Sequence, residues 1–201
     1  SSKEAMQDLK GILAGRAAFY SKADLVLDTS GQTLDQSFRA LRDMAREVMS
    51  AIRPLTRLPL IAKLTPNVTR IGEIAEACES CGADAVSLVN TFLAMSIDVL
   101  TRRPKLANVF GGLSGPAIKP IALRMVWEVH RALPEVPLVG VGGIETGRDV
   151  AEFLLAGASA VQVGTAIFRD PAAPLRILEE LEAFCAEHEV AEVSELIGGL
   201  R

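Results

Sequence analysis

The sequence predicts an α/β fold in which five parallel strands alternate with helices. The first observation behind this is a series of short, nearly continuous apolar runs, the pattern of strands covered on both faces of a parallel sheet. The second is that longer segments with apolar residues at helical spacing separate those runs. The third is that sequence rich in glycine, asparagine, threonine or lysine follows directly on several of the runs, at the strand ends where α/β proteins place function. The chain has 201 residues, 49% of them hydrophobic and 23% charged, with a formal net charge of −4. That length suits one domain or two small ones, and the apolar content excludes a disordered chain.

In chain order, Lys3 to Leu13 carries Met6, Leu9, Ile12 and Leu13 at helical spacing. Asp24 to Asp28 reads as a first strand, closed by a turn at Thr29-Ser30-Gly31. Thr33 is a good N-cap for a helix through Leu34, Phe38, Leu41, Met44 and Val48, because its hydroxyl can accept from an otherwise unpaired first-turn N–H. Pro54 and Pro59 bracket a loop. Four further strands follow at 60–64, 85–89, 137–141 and 160–163, with helices near 70–81, 119–133, 146–156 and 172–188, joined by right-handed crossovers. Residues 90–118 break the rhythm: the stretch exceeds an ordinary strand-to-helix connection and holds short helix-like and hairpin-like pieces of its own.

No apolar run approaches the ~20 residues of a membrane span, and no basic-then-apolar leader opens the chain. Mild acidity without Lys/Arg clusters argues against nucleic acid as a partner. Three cysteines, Cys78, Cys81 and Cys185, fit a reduced compartment. The expectation is a soluble, cytoplasmic protein with neither a membrane nor a nucleic-acid partner.

Four places could carry chemistry. Lys63-Leu64-Thr65-Pro66-Asn67 ends a strand with a cation that suits an anionic or electron-rich ligand, or that snorkels at the surface. Asn90-Thr91 offers donors and acceptors at the next strand end, although alone it reads as a turn. Gly111-Gly112-Leu113-Ser114-Gly115-Pro116 precedes a helix and can bring backbone N–H groups close to an anion. Gly140-Val141-Gly142-Gly143 and Val163-Gly164-Thr165-Ala166 end the last two strands, where barrels of this class form phosphate sites. Neither a P-loop nor a dinucleotide fingerprint is present. Two permissive loops on consecutive strands favour a phosphate-bearing ligand.

Weaker signals remain structural. Cys78-Glu79-Ser80-Cys81 has no second pair to complete a zinc site and ends a helix rather than opening one. His130 and His188 lie on helical surface patterns away from the glycine loops, so neither is a good general-base candidate.

From about Arg57 to Arg201, the series Lys63-Leu64-Thr65-Pro66-Asn67, Val89-Asn90-Thr91, Leu106-Ala107-Asn108, Gly111-Gly112-Leu113-Ser114-Gly115-Pro116-Ala117, Gly140-Val141-Gly142-Gly143-Ile144 and Val163-Gly164-Thr165-Ala166 resembles the C-terminal half of dihydroorotate dehydrogenase, of the NAD-linked class with an iron–sulfur partner subunit. The resemblance implies half of a (β/α)8 TIM barrel that holds FMN at its strand ends and oxidises dihydroorotate to orotate in pyrimidine biosynthesis. It implies that Lys63, Val89 and Gly115 lie against the flavin and that Asn90 and Thr91 hydrogen-bond the substrate. It further implies that Gly142, Gly143, Gly164 and Thr165 hold the FMN phosphate. The family's catalytic cysteine belongs to the other half, so no catalytic residue is expected here.

Residues 1–48, with Glu4-Ala5-Met6, Arg16, Phe19-Tyr20, Ala23-Asp24 and Leu27-Asp28-Thr29-Ser30-Gly31-Gln32-Thr33, resemble the C-terminal end of a shikimate kinase domain (helix-strand-helix) without its phosphate loop. The expected organisation is therefore a kinase-like fragment over 1–48 and a dehydrogenase-like half-barrel over 49–201, fused as a chimera with a junction between 44 and 57. An impaired flavoprotein remnant is the first functional expectation, and an inactive α/β scaffold the second. A half-barrel also has two open sheet edges, which a donated strand can cover in a doubly wound sheet or a homodimer can pair.

Overall fold

Thr33 and Gln36 close the N-terminus of the first described helix reciprocally: Gln36 N donates to Thr33 Oγ1 at 3.2 Å, and Thr33 N donates to Gln36 Oε1 at 2.8 Å. The helix they cap, α1, runs Leu34–Ile52 and buries Phe38 and Met49. A computed structural model describes Leu27 and residues 30–201; the predicted helix at 3–13 and the strand at 24–28 lie outside the described residues. By contacts the chain divides into two units. One comprises Ser1–Met44 with Met95–Gly111, the other Ala45–Ala94 with Gly112–Arg201.

The second unit holds the sheet. A turn of 3-10 helix at Arg53–Leu55 leads through the Pro54–Pro59 loop into β1, Ile61–Lys63. Helix α2, Ile71–Glu79, buries Ile71, Ile74, Ala75, Ala77 and Cys78 and returns the chain to β2, Ala85–Leu88. The long connection then forms β3 (Phe92–Met95), β4 (Ile97–Asp98), β5 (Arg103–Pro104) and β6 (Phe110–Leu113). β4 and β5 pair antiparallel within the first unit, and β3 and β6 form a second two-stranded sheet. Beyond the connection come α3 (Lys119–Ala132), β7 (Leu138–Val141), α4 (Gly147–Leu155) and β8 (Ala160–Gln162). A short α5 (Thr165–Arg169) and the longer α6 (Ala173–Glu187) end the regular structure, apart from a 3-10 turn at Val193–Leu196.

β1, β2, β7 and β8 form one parallel sheet in that order. The order follows the chain without reversal, so right-handed crossovers put the helices on one face. This is winding of the barrel kind, as expected for half of a (β/α)8 barrel; the strand at 24–28 that would extend it into a doubly wound sheet lies outside the described residues. Ala62, Val86 and Leu138 stand in register on the helix-covered face and are all buried. Beneath them, α2 packs on α3 and α4 on α6.

The opposite face departs from the expectation of burial on both sides. Lys63, Ser87, Val139 and Ala160 share it in register, yet only Ser87 is buried, and Ile61 at the β1 edge is 56% exposed. Among the described residues β1 and β8 are unpaired on their outer sides, so the flanks of that face have no neighbour to cover them.

Arg53 fixes the entry to β1 and β2. Its guanidinium donates to the carbonyls of Gly82, Thr56 and Leu58 and to Asp84 Oδ2, which also accepts from Leu60 N. Five bonds thereby hold the loop ahead of β1 against the turn ahead of β2. Among the described residues no helix is long and apolar enough to cross a membrane.

Candidate functional site

The C-terminal ends of all four sheet strands open into one cleft of about 180 Å3 within the second unit. Lys63 comes from the end of β1; Val89, Asn90 and Thr91 follow β2; Gly115 follows β6; Gly142 and Gly143 follow β7; and Gly164 and Thr165 follow β8. All nine residues singled out in the sequence line this cleft. Parallel strands explain the convergence, because every strand delivers its following loop to the same edge of the sheet.

Asn90 and Thr91 are held from three directions. Val89 N donates to Val141 O at 2.9 Å and Asn90 N to Leu64 O at 3.1 Å, so this turn continues the ladder on both sides. The Leu88–Val89 peptide is cis. Asn67 supplies the third support: its amide donates to Thr91 O at 3.3 Å and to Thr65 Oγ1 at 3.1 Å, and its Oδ1 accepts from Leu93 N at 3.2 Å. Asn67 was legible as part of a loop motif, but its bridging role depends on a segment 24 residues away and leaves no local signal.

The glycine loops meet one another closely. Gly143 has φ +78°, and a Cβ there would stand 2.8 Å from Gly115 O and 2.9 Å from Lys119 N. Only glycine tolerates both the left-handed backbone and that approach. Gly142, at φ +135°, would drive a Cβ to 3.1 Å from Ile118 and Ala122. Gly164 differs: its φ of −118° lies outside the left-handed region, and a Cβ there meets nothing within 4 Å. No packing contact calls for a glycine at 164, and the space beside it belongs to the cleft.

Charge in the cleft is uneven. Burial lowers the pKa of Lys63 below its usual value, and no carboxylate pairs with it among the described residues. Its register neighbour Ser87 is buried with no hydrogen-bond partner for its hydroxyl. The sequence reading did not single out Glu145 or Gln162, which also line the cleft; Glu145 is ion-paired with Arg169. Behind the loop, Lys119 donates to Asp149 Oδ1 at 2.6 Å and to Glu152 Oε1 at 3.1 Å. Burial alone would lower the Lys119 pKa, but these hydrogen bonds carry it above its ordinary value.

Lys63, unpaired among the described residues, and glycine loops with open space beside Gly164 fit an anionic ligand. The thiols and imidazoles lie elsewhere. Cys78 is buried in α2, where desolvation and neighbouring Cys81 raise its pKa. His188 stacks on Phe184 with ring centroids 4.5 Å apart, and His130 packs where Cβ atoms on Gly157 or Gly198 would collide with it. The cleft lining contains no cysteine and no histidine.

A family model described as dihydroorotate dehydrogenase matches residues 30–185. The chain is 57% identical over 156 residues to dihydroorotate dehydrogenase B (NAD(+)), catalytic subunit, of Geobacter sp. (strain M21), covering 78% of this chain and 51% of that protein. It is 58% identical over 156 residues to the same subunit of Geotalea uraniireducens (strain Rf4), with the same coverage. Among solved structures, a dihydroorotate dehydrogenase from Eimeria tenella in complex with ferulenol superposes with a TM-score of 0.66 at 27% identity, covering 79% of this chain and 48% of that one. The chain thus spans about half the length of the curated relatives it matches. The bounds of the family match span the junction expected between 44 and 57. Residues 30–48, read from sequence as part of a kinase-like fragment, lie inside the dehydrogenase match.

Proposed function

The chain belongs to the dihydroorotate dehydrogenase family, and from that premise we propose that residues 30–201 are an FMN-binding half-barrel of such an enzyme. One observation carries this reading: all nine residues drawn from separate sequence motifs line a single cleft at the strand ends. Bound there, FMN supplies the hydride acceptor for oxidation of dihydroorotate to orotate. Backbone amides of Gly142, Gly143, Gly164 and Thr165 hold its phosphate, as oriented N–H groups hold anions elsewhere. Lys63 sets a positive charge beside the ring, where it favours electron-rich flavin. Asn90 and Thr91 orient the substrate by hydrogen bonds.

Proton removal is the missing step. The resemblance assigns the catalytic cysteine to the other half-barrel, so turnover by these residues alone is expected to fall by the ~10²–10⁴ that a positioned general base contributes. The other half-barrel and an electron-transferring partner subunit belong to the same proposal, as does pairing of the open β1 and β8 edges by another chain or a second copy. For residues 1–29 the proposal remains a fragment resembling the end of a shikimate kinase domain, without kinase activity.

A titration with FMN, followed by flavin fluorescence, tests the reading in the wild type and in Gly164→Leu. The leucine Cβ meets nothing within 4 Å, and a melting temperature equal to that of the wild type shows that the variant keeps its fold. Saturable binding that the variant loses supports the proposal. Absence of binding in the wild type favours the second reading, an α/β scaffold whose motifs no longer act.

A further inference from the structure

Asp149 does more than cap its helix. Its Oδ2 accepts from Glu145 N and Thr146 N, each at 2.8 Å, while Thr146 Oγ1 accepts from Asp149 N at 3.2 Å. Its Oδ1 accepts from Lys119 Nζ at 2.6 Å. Lys119 opens α3, directly behind the loop that carries Ser114 and Gly115. One carboxylate, 9% exposed, therefore joins the loop after β7 to the loop after β6. Those are two of the loops that line the cleft, and neither Asp149 nor Lys119 lines it. A second bracket works from the other side. Glu180 accepts from Gly147 N at 2.8 Å, and Arg176 donates to Glu145 O, Glu180 and Asp170.

A carboxylate close to an anion site repels the anion unless a cation offsets it. Its position here is explained by what it holds rather than by what it attracts. We propose that the Asp149–Lys119 pair is a positioning device for the anion end of the cleft, fixing the Gly142–Gly143 backbone against the Ser114–Gly115 backbone before ligand arrives. Pre-arranged donors bind more tightly because the ligand does not bear the cost of ordering them. The inference rests on the FMN reading above and names the residues that tune it.

Charge and position predict opposite signs for one substitution. Asp149→Asn keeps an oxygen acceptor for Glu145 N and Thr146 N, so the helix cap survives, but it removes a negative charge and the bond to Lys119. Simple electrostatics has this variant bind phosphate more tightly; loss of positioning has it bind more weakly. Lys119→Met removes the bracket while leaving the cap untouched. The experiment compares FMN with riboflavin, its phosphate-free counterpart, in equilibrium titrations of the wild type and both variants.

The expected result is an FMN affinity lower by about tenfold or more in each variant, the scale on which lost supporting hydrogen bonds weaken a bound group, with riboflavin affinity unchanged. FMN binding to Asp149→Asn as tight as in the wild type, or tighter, overturns the proposal. So does an equal loss of both ligands, which marks general destabilisation. A wild type that binds FMN no better than riboflavin overturns the phosphate-cleft reading itself, an outcome distinct from failure of the pair alone.

Discussion

Arg53 NH1 lies 2.8 Å from Asp84 Oδ2, and the same carboxylate oxygen accepts from Leu60 N at 2.7 Å. This small knot sets where β1 and β2 begin, and through them where Lys63 and Asn90 arrive at the other end of the sheet. Leu60 N–H first, and Arg53 second, hold the Asp84 carboxyl below its ordinary 3.8. A depressed carboxylate pKa adds stability that is present above the unfolded value and lost as pH falls through the folded one. Asp84→Asn is therefore less stable than the wild type at neutral pH, and the gap closes as pH drops below 3.8. Thermal unfolding across that range reads it, with the neutral-pH gap shrinking in high salt because the pair is exposed.

Gly140 and Phe153 are coupled. Phe153 is fully buried, and a Cβ on Gly140 would lie 2.6 Å from its ring. Phe153→Ala is expected to cost about 3–5 kcal/mol in urea unfolding. Gly140→Ala destabilises the wild type, because the ring cannot yield in a packed core, and loses most of that cost in the Phe153→Ala background. Strictly additive costs would show that the two residues do not share this space.

Two glycines of the cleft separate stability from binding. Gly143→Ala combines a left-handed backbone with contacts below 3 Å to backbone atoms, so it loses about 2 kcal/mol or more of stability. Gly164→Ala meets nothing within 4 Å and leaves the melting temperature unchanged while weakening FMN. A large melting shift for Gly164→Ala contradicts the open space described beside it.

Lys63 trades stability for ligand. Desolvation without a counter-ion lowers its pKa, so carrying the charge opposes folding wherever both states are protonated. Lys63→Met raises the melting temperature at neutral pH, and the advantage fades as pH rises toward 10.5, where both states lose the proton. The same variant binds FMN more weakly. A lower melting temperature at pH 7 would mean that Lys63 has an anionic partner when the cleft is empty.

Much of this was legible in the sequence because the signals are local. The four apolar runs became the four strands, Thr33 capped its helix as its hydroxyl predicts, and the nine candidate residues share one cleft because parallel strands send their loops to one edge. What the sequence concealed was long-range or generic. Arg53–Asp84 and Asn67–Leu93 join residues that no periodicity relates. Glu145 and Gln162 line the cleft from positions with ordinary surface chemistry. The apolar spacing of Leu34, Phe38, Leu41, Met44 and Val48 suits a helix of any α/β domain, so it could not reveal that residues 30–48 belong with the dehydrogenase match. Burial of β1 and β8 was overestimated because an apolar run does not disclose whether its strand has two neighbours.

The most direct test of a single cleft is a backbone amide spectrum of the chain during titration with FMN. The expected result is that the amides of Gly142, Gly143, Gly164 and Thr165 shift together with those of Val89 and Asn90, along one saturable curve. Shifts confined to other regions, or none at saturating FMN, would contradict it and leave the glycine loops as inherited sequence without a ligand.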